Sequence, residues 1–192
     1  MLDCALDREL LLKASELLNK QLMTSINGQM LDLMNMADSE EAYIHQTEQK
    51  SASLLVLSCM TGVVLAANEW NDTVAEYATE IGIAAQMKND SRDMLNWEEK
   101  NDFIHRKKTI LTMHLIRSLG DEEHWLSAYF GGQGSAEDLL GRKAEIEQLC
   151  GQHGTLLYAS VQMRTHYYRF MELLESASFD KAWKEQLLFS LG

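Results

Sequence analysis

Apolar positions recur on a 3.6-residue period along most of the chain, and that period predicts helix nearly throughout. Leu6 through Met34 carries the repeat as one nearly continuous rod, with Ser25 to Gly28 the place where it would divide. Asp38-Ser39-Glu40-Glu41 reads as a helix start, a capping oxygen followed by acids at the positive end of the dipole, and predicts a helix from about Ser39 to Ala66. Asn68 to Asp72 holds a turn and a new cap, and the next helix runs from about Thr73 through Asn96. The set Ile110, Leu111, Met113, His114, Leu115, Ile116 and Leu119 predicts another, stopped at Gly120. Asp121 begins the following one, with Trp125, Leu126, Tyr129 and Phe130 as its buried stripe and the glycines from Gly131 to Gly134 as its end. Ser135 caps a helix through Leu149. Thr155 to about Glu175 forms a longer one with Leu157, Tyr158, Val161, Met163, Tyr167, Phe170 and Leu174 as a structural stripe, and a last helix runs from about Asp180 to Leu191.

Composition agrees with an all-α fold. The chain has no proline and 11 glycines in 192 residues, a length that suits one domain with a large core. Seventeen basic against 29 acidic residues give a net charge of −12, which opposes sequence-independent attachment to nucleic acid or an anionic bilayer. The N-terminus lacks the pattern of a signal peptide. The longest weakly polar run, Ala52 to Ala67, is short for a membrane span and reads as a buried core helix. Cys4, Cys59 and Cys150 are too widely spaced for a disulfide framework or zinc motif and predict reduced core thiols in a cytoplasmic protein. The six histidines show no metal-ligand spacing.

Polar chemistry concentrates between Gly82 and Thr109. Gln86, Asn89, Asp90 and Asp93 fall at i, i+3, i+4 and i+7 and project from one side of a helix whose other sides are apolar. Buried carboxylates need a cation or a solvated cavity. Lys107, Lys108 and Thr109 follow a short connection, so oxygen ligands for a hard cation stand near basic donors, a combination suited to a magnesium-bound phosphate ester. Two further islands precede it. Gln29 and Asp32 share a helix face just after Gly28, where a neighbour has room to approach, and Lys50-Ser51 stands directly before an apolar run. Gly131-Gly132-Gln133-Gly134 follows a helix and lacks the lysine and hydroxyl of a Walker sequence, so it reads as a connection.

Taken in order, these islands resemble the trans-isoprenyl diphosphate synthases, or polyprenyl synthetases. Gly28-Gln29 with Asp32 looks like the family's GQxxD helix, and Lys50-Ser51-Ala52-Ser53-Leu54 like its KTAxL segment with serine for threonine. Gly82 to Gln86 followed by Asn89-Asp90-Ser91-Arg92-Asp93 is similar to GxAFQ and the second DDxxD motif, with Asn89 in place of the first aspartate. Asp102, Lys107 and Thr109 keep the spacing of DLxxGKxTLP.

The resemblance implies an isoprenoid-synthase-type helical bundle and Mg2+-assisted departure of the diphosphate from an allylic prenyl diphosphate. It implies a metal motif at Asn89, Asp90 and Asp93, and diphosphate contacts from Lys50, Ser51, Gln86, Lys107 and Thr109. Gln29 and Asp32 would line the same cavity, with Leu33, Val56 and Met87 as candidates for the prenyl pocket. No first DDxxD motif precedes the match, so the chain corresponds to the C-terminal two-thirds of the family fold, a single domain over residues 1–192 that is N-terminally shortened. Within the family it looks most like the ComQ-type enzymes, which implies transfer to a tryptophan of a quorum-sensing pheromone precursor peptide. Two alternatives remain: a short-chain synthase using isopentenyl diphosphate, and a non-catalytic subunit or decayed homologue that binds a catalytic partner. The family resemblance also implies a homodimer.

Overall fold

A computed structural model describes residues 7–97, 101–120 and 124–191. Cys4 and the predicted helix start at Asp121 lie outside them. All regular structure among the described residues is helical. Helix α1 spans Arg8–Leu33, α2 Glu40–Thr47, α3 Ser53–Ala67, α4 Asp72–Leu95 and α5 Ile110–Leu119. They are followed by α6 Trp125–Phe130, α7 Ala136–Gly141, α8 Lys143–Gln152, α9 Thr155–Ser176 and α10 Lys181–Leu191. Local chemistry explains the boundaries. The side chains of Ser39 and Asn71 accept N–H groups from the first turns of α2 and α4. Thr109 and Thr112 form a capping box at the start of α5, and Gly120, with φ 64°, ends it.

α4 is the axis of the bundle. Its first half contributes Val74, Tyr77 and Ala78 to one core, with Leu17 of α1, Val56, Met60 and Val64 of α3, and Phe170, Leu173 and Leu174 of α9. Its second half contributes Ile83, Met87 and Met94 to another, with Tyr43 of α2, Leu111 and Leu115 of α5, Leu126, Ile146 and Ala159. The pairing of its early residues with late residues of α9 makes the two helices antiparallel. Tyr77 meets Phe170 edge-on at 6.0 Å, and Glu80 receives His166 at 2.7 Å.

The predicted helix from Ser39 to Ala66 is present as one continuous rod, but Glu48–Ala52 within it is π-helical. One extra residue in the turn spreads the backbone there and displaces its carbonyls from the usual ladder. Ser25 Oγ donates to Lys50 O at 2.8 Å and Ser53 Oγ to Gln49 O at 2.6 Å, so hydroxyls serve two of them. The π turn lies between two glycines. A Cβ on Gly28 of α1 would stand 2.2 Å from Lys50 N, and one on Gly82 of α4 would stand 2.6 Å from Ala52 Cα.

Several expectations need correction. The helix predicted from Ser135 to Leu149 breaks at Arg142, whose φ −108° and ψ 16° interrupt the α-helical turn. The α9 stripe is only partly interior: Phe170 and Leu174 are buried, whereas Leu157 and Val161 are exposed. The run Ala52 to Ala67 buries Val56, Met60 and Val64 but leaves Leu54 and Leu65 open. The Glu40–Ala67 rod has the length and apolar composition of a membrane span, yet it packs here between α1 and α4. α1 has an apolar face turned outward, with Leu22, Met23, Ile26, Met30, Leu33 and Met34 exposed.

Because its new methyl would meet backbone, Gly28→Ala is expected to destabilise the fold at the top of the range of about 1–3 kcal/mol for overpacking. Gly62→Ala, on an exposed helix position with open space around it, is expected to add roughly 0.5–1 kcal/mol through helix propensity. Urea denaturation midpoints of the two variants check both signs.

Candidate active site

The two glycine contacts bring α1, the π turn and α4 together. Asp32 lies one turn beyond Gly28, Gln86 one turn beyond Gly82, and Asp90 one turn further, so close backbone approach brings Asp32 of α1 toward Gln86 and Asp90 of α4. They line a polar cavity of about 110 Å³ with Asn35, Tyr43, Gln46, Thr47, Lys50, Asp93, Asp102, Lys107, Lys108 and Thr109. An apolar hollow of about 390 Å³, lined by Met94, Trp97, Phe103, Ile146, Cys150 and Leu156 among others, shares none of these residues.

Two ammonium groups meet at Asp32. Lys50 Nζ lies 2.7 Å from its Oδ2 and Lys107 Nζ 3.2 Å from the same atom, while Gln46 Nε2 donates to Oδ1 at 3.2 Å. Burial pushes the Asp32 carboxyl up, but the two lysines outweigh it and hold the group below the usual carboxylate range. Across the cavity, Asp90 is buried and has both oxygens engaged: Tyr43 Oη donates to Oδ2 and Gln86 Nε2 to Oδ1, each at 2.7 Å. Ser51 Oγ donates in turn to Gln86 Oε1 at 2.7 Å. Burial outweighs these donors and raises the Asp90 carboxyl. Tyr43 is raised further, by its own burial and then by the Asp90 charge.

Asp102 is held by the loop before α5. Buried Asn101 donates to Asn96 O at 2.9 Å and Met94 O at 3.2 Å, and its Oδ1 accepts Phe103 N–H at 2.9 Å. That knot returns the chain to the end of α4 and leaves Asp102 facing the cavity. Its Oδ2 is buried with no hydrogen-bond partner. Burial, followed by the charge of Asp90, lifts its carboxyl to about 7. Gln46 Oε1 is a second buried acceptor without a partner.

An unpartnered carboxylate oxygen beside Asp90 and Asp93 is a donor set for a hard cation, with neither thiolate nor imidazole among the lining residues. Among the described residues no group of three or more acidic, cysteine or histidine side chains is arranged to enclose a metal. Mg2+ is commonly held by one or two carboxylates together with ligand phosphates and water. The residues present fit Mg2+ bound jointly with a phosphate ester.

Most predicted site residues converge here: Asp32, Lys50, Gln86, Asp90, Asp93, Lys107 and Thr109 all line the cavity. The Thr109 hydroxyl is also the α5 cap, accepting Thr112 N–H at 3.4 Å. Ser51 stands behind Gln86. Asn89 is exposed, and its Oδ1 accepts from Arg92 at 2.9 Å, away from the lining. Gln29 is exposed on α1, Leu33 is 75% exposed, and Val56 and Met87 belong to the cores. Sequence reading passed over Asn35, Tyr43 and Gln46. For the last two a signal existed, since Tyr43, Gln46 and Lys50 recur at i, i+3 and i+7 on one face.

The model of the family described as polyprenyl synthetase matches residues 3–146. A protein of Bacillus subtilis subsp. natto named tryptophan prenyltransferase ComQ is 30% identical over 179 residues, covering 88% of this chain and 52% of that protein. One of the same name from Bacillus spizizenii is 26% identical over 147 residues, covering 77% of this chain and 52% of it. The chain thus spans about half the length of the curated relatives it matches. The crystal structure of a geranylgeranyl pyrophosphate synthetase from Pyrococcus horikoshii superposes with a TM-score of 0.76 at 21% identity, covering 97% of this chain and 59% of that one. Its likeness is one of fold.

The raised Asp102 carboxyl has a signed consequence for stability. Its pKa of about 7 lies above the unfolded value of about 3.9. Between those values the folded state holds the extra proton, so this contribution is fully present below about pH 4 and lost as pH rises through 7. Asp102→Asn is expected to flatten the fall in stability over that window, as read from urea unfolding at stepped pH.

Proposed function

We propose, for a chain that belongs to the polyprenyl synthetase family, that the polar cavity binds the diphosphate of a prenyl diphosphate and that the prenyl group passes to a tryptophan of a peptide. The observation that carries this reading is the meeting of Lys50 and Lys107 on one carboxylate in a cavity lined by three further aspartates. Asp32 keeps both ammonium groups oriented before a ligand arrives. A diphosphate accepts charge-assisted hydrogen bonds from both lysines, with Lys108 beside them. Mg2+ would be held by one or two of Asp90, Asp93 and Asp102, and when bound would neutralise charge on the diphosphate oxygens.

Tyr43 and Gln86 keep Asp90 turned toward the cavity, and Ser51 holds Gln86 in place. The peptide acceptor rests on the relatives named tryptophan prenyltransferase, and the family resemblance extends it to a pheromone precursor. The cytoplasmic setting rests on the family resemblance, with which the free thiols of Cys59 and Cys150 are compatible.

The outward apolar face of α1 favours a second reading, in which the chain is a non-catalytic subunit whose site is completed by a separate catalytic chain. The two readings separate in one experiment: the purified chain is titrated with geranyl diphosphate and MgCl2 by calorimetry. It is then incubated with the same pair and a tryptophan-containing peptide, and the peptide is weighed by mass spectrometry. A magnesium-dependent heat and a prenyl mass increment are expected under the first reading; neither is expected from the isolated chain under the second.

Lys107→Gln removes one charge-assisted contact and is expected to weaken geranyl diphosphate binding about tenfold to a hundredfold. Unchanged affinity in the same calorimetric titration would remove Lys107 from the diphosphate site.

A further inference from the structure

The turn that carries Lys107 is gripped by one side chain from the end of α1. After Leu33 the chain makes a helix-terminating turn: Asn35 has φ 54°, its N–H reaches Asp32 O at 3.1 Å, and Met36 N–H reaches Leu31 O at 3.2 Å. Asparagine enters this left-handed region more readily than most residues. The turn directs its carboxamide at a segment 71 positions later in the chain. Nδ2 donates to Arg106 O at 2.8 Å, and Oδ1 accepts Lys108 N–H at 2.8 Å.

Those two groups belong to the two peptide units on either side of the Lys107 α-carbon. The other half of each unit is also engaged: Lys107 N–H donates to Asp102 O at 2.8 Å, and Lys107 O accepts from Thr112 Oγ1 at 2.6 Å. The carboxamide orientation follows from its partners, since the carbonyl can meet only the donor and the amide only the acceptor.

We infer that Asn35 is a positioning residue that sets Lys107 in the cavity. One helix end holds this lysine twice, at its ammonium group through Asp32 and at its backbone through Asn35 three residues later. Arg106 is the hinge of the arrangement. It too is left-handed, with φ 52°, and a non-glycine residue persists there only when its surroundings hold it. Its carbonyl is held by Asn35, and its guanidinium donates to Gly134 O at 2.7 Å and lies over the Tyr129 ring at 4.3 Å. Without the carboxamide, Arg106 is free to relax to an ordinary conformation and carry Lys107 away from Asp32.

This inference rests on the reading of Lys107 as a diphosphate ligand, and its test separates the two. Asn35→Gly keeps the left-handed turn and removes both bonds. Calorimetry with inorganic pyrophosphate and MgCl2 is run on the unaltered chain, Asn35→Gly, Lys107→Gln and the double variant. The expected result is an affinity loss of about tenfold for Asn35→Gly that vanishes in the Lys107→Gln background, the coupling of residues that act through one another. An equal loss in both backgrounds, or none, overturns the inference.

A ligand-free readout accompanies it: the Asp32 carboxyl titration followed by carbon NMR, whose midpoint rises in Asn35→Gly if Lys107 has moved away. If the unaltered chain binds no pyrophosphate but the midpoint rises, Asn35 keeps its role and the diphosphate reading fails; an unmoved midpoint overturns the role itself. Asn35→Asp preserves size and the acceptor for Lys108 while losing the donor to Arg106. It is expected to give a smaller loss with the same dependence on Lys107, and a loss independent of Lys107 counts against the inference.

Discussion

The contact on which the structure depends is backbone against backbone, where Gly28 and Gly82 meet the π turn from opposite sides. Neither position has room for a methyl group. Packing that tight does more than fill space, because Asp32, Gln86 and Asp90 stand one or two helical turns beyond one of the glycines. Interaxial distances are normally 8–10 Å. Separation at the wide end of that range would leave the reach of Lys50 to Asp32 and of Ser51 to Gln86 to long, disordered side chains. With the helices in contact those bonds form at 2.7 Å.

That closeness shapes the electrostatics. Four aspartates share one small cavity with three lysines, two of which pair with a single carboxylate, and the aspartates are unequal. Asp32 takes both lysines and is held in its charged form, whereas Asp90 and Asp102 are raised because burial costs them more than their donors return. The cavity therefore has a firmly ionised side at α1 and a side at α4 and the following loop that favours added positive charge. An anion that brings its own cation suits both sides; a bare anion meets repulsion from the second.

The helical architecture was legible because periodicity and caps are local. Gly120, Ser39 and Asn71 end or begin helices by bonds to their own neighbours, and sequence reading placed those ends within a residue or two. The π turn was not legible: Glu48 to Ala52 has ordinary helix formers, and its extra residue is stabilised by Ser25, Gly28 and Gly82 from other helices. The outward faces of α1 and α9 misled for a related reason, since a stripe of leucine and methionine says that something covers it but not whether that cover lies in these residues. In the site, Asp32, Lys50, Asp90 and Lys107 were found through spacing and resemblance. Asn35 escaped because an asparagine after a helix already has a sufficient local explanation as its terminator, and Asn89 shared a face with Asp90 yet turned to Arg92 because that partner was near and solvent was open.

The π turn also governs how this sequence can drift. Each residue of Glu48–Ala52 is individually compatible with an α-helix, so the segment looks permissive to replacement. Its length is another matter. Losing one residue would restore a regular helix at no cost in hydrogen bonds, yet it would rotate everything on one side of the segment by about a hundred degrees relative to the other. Tyr43 and Gln46 lie before the turn, and Ser53 and Val56 after it. Only the present count lets the first pair face the carboxylates while the second pair faces the core, so for this helix a change of length is a graver lesion than most changes of letter.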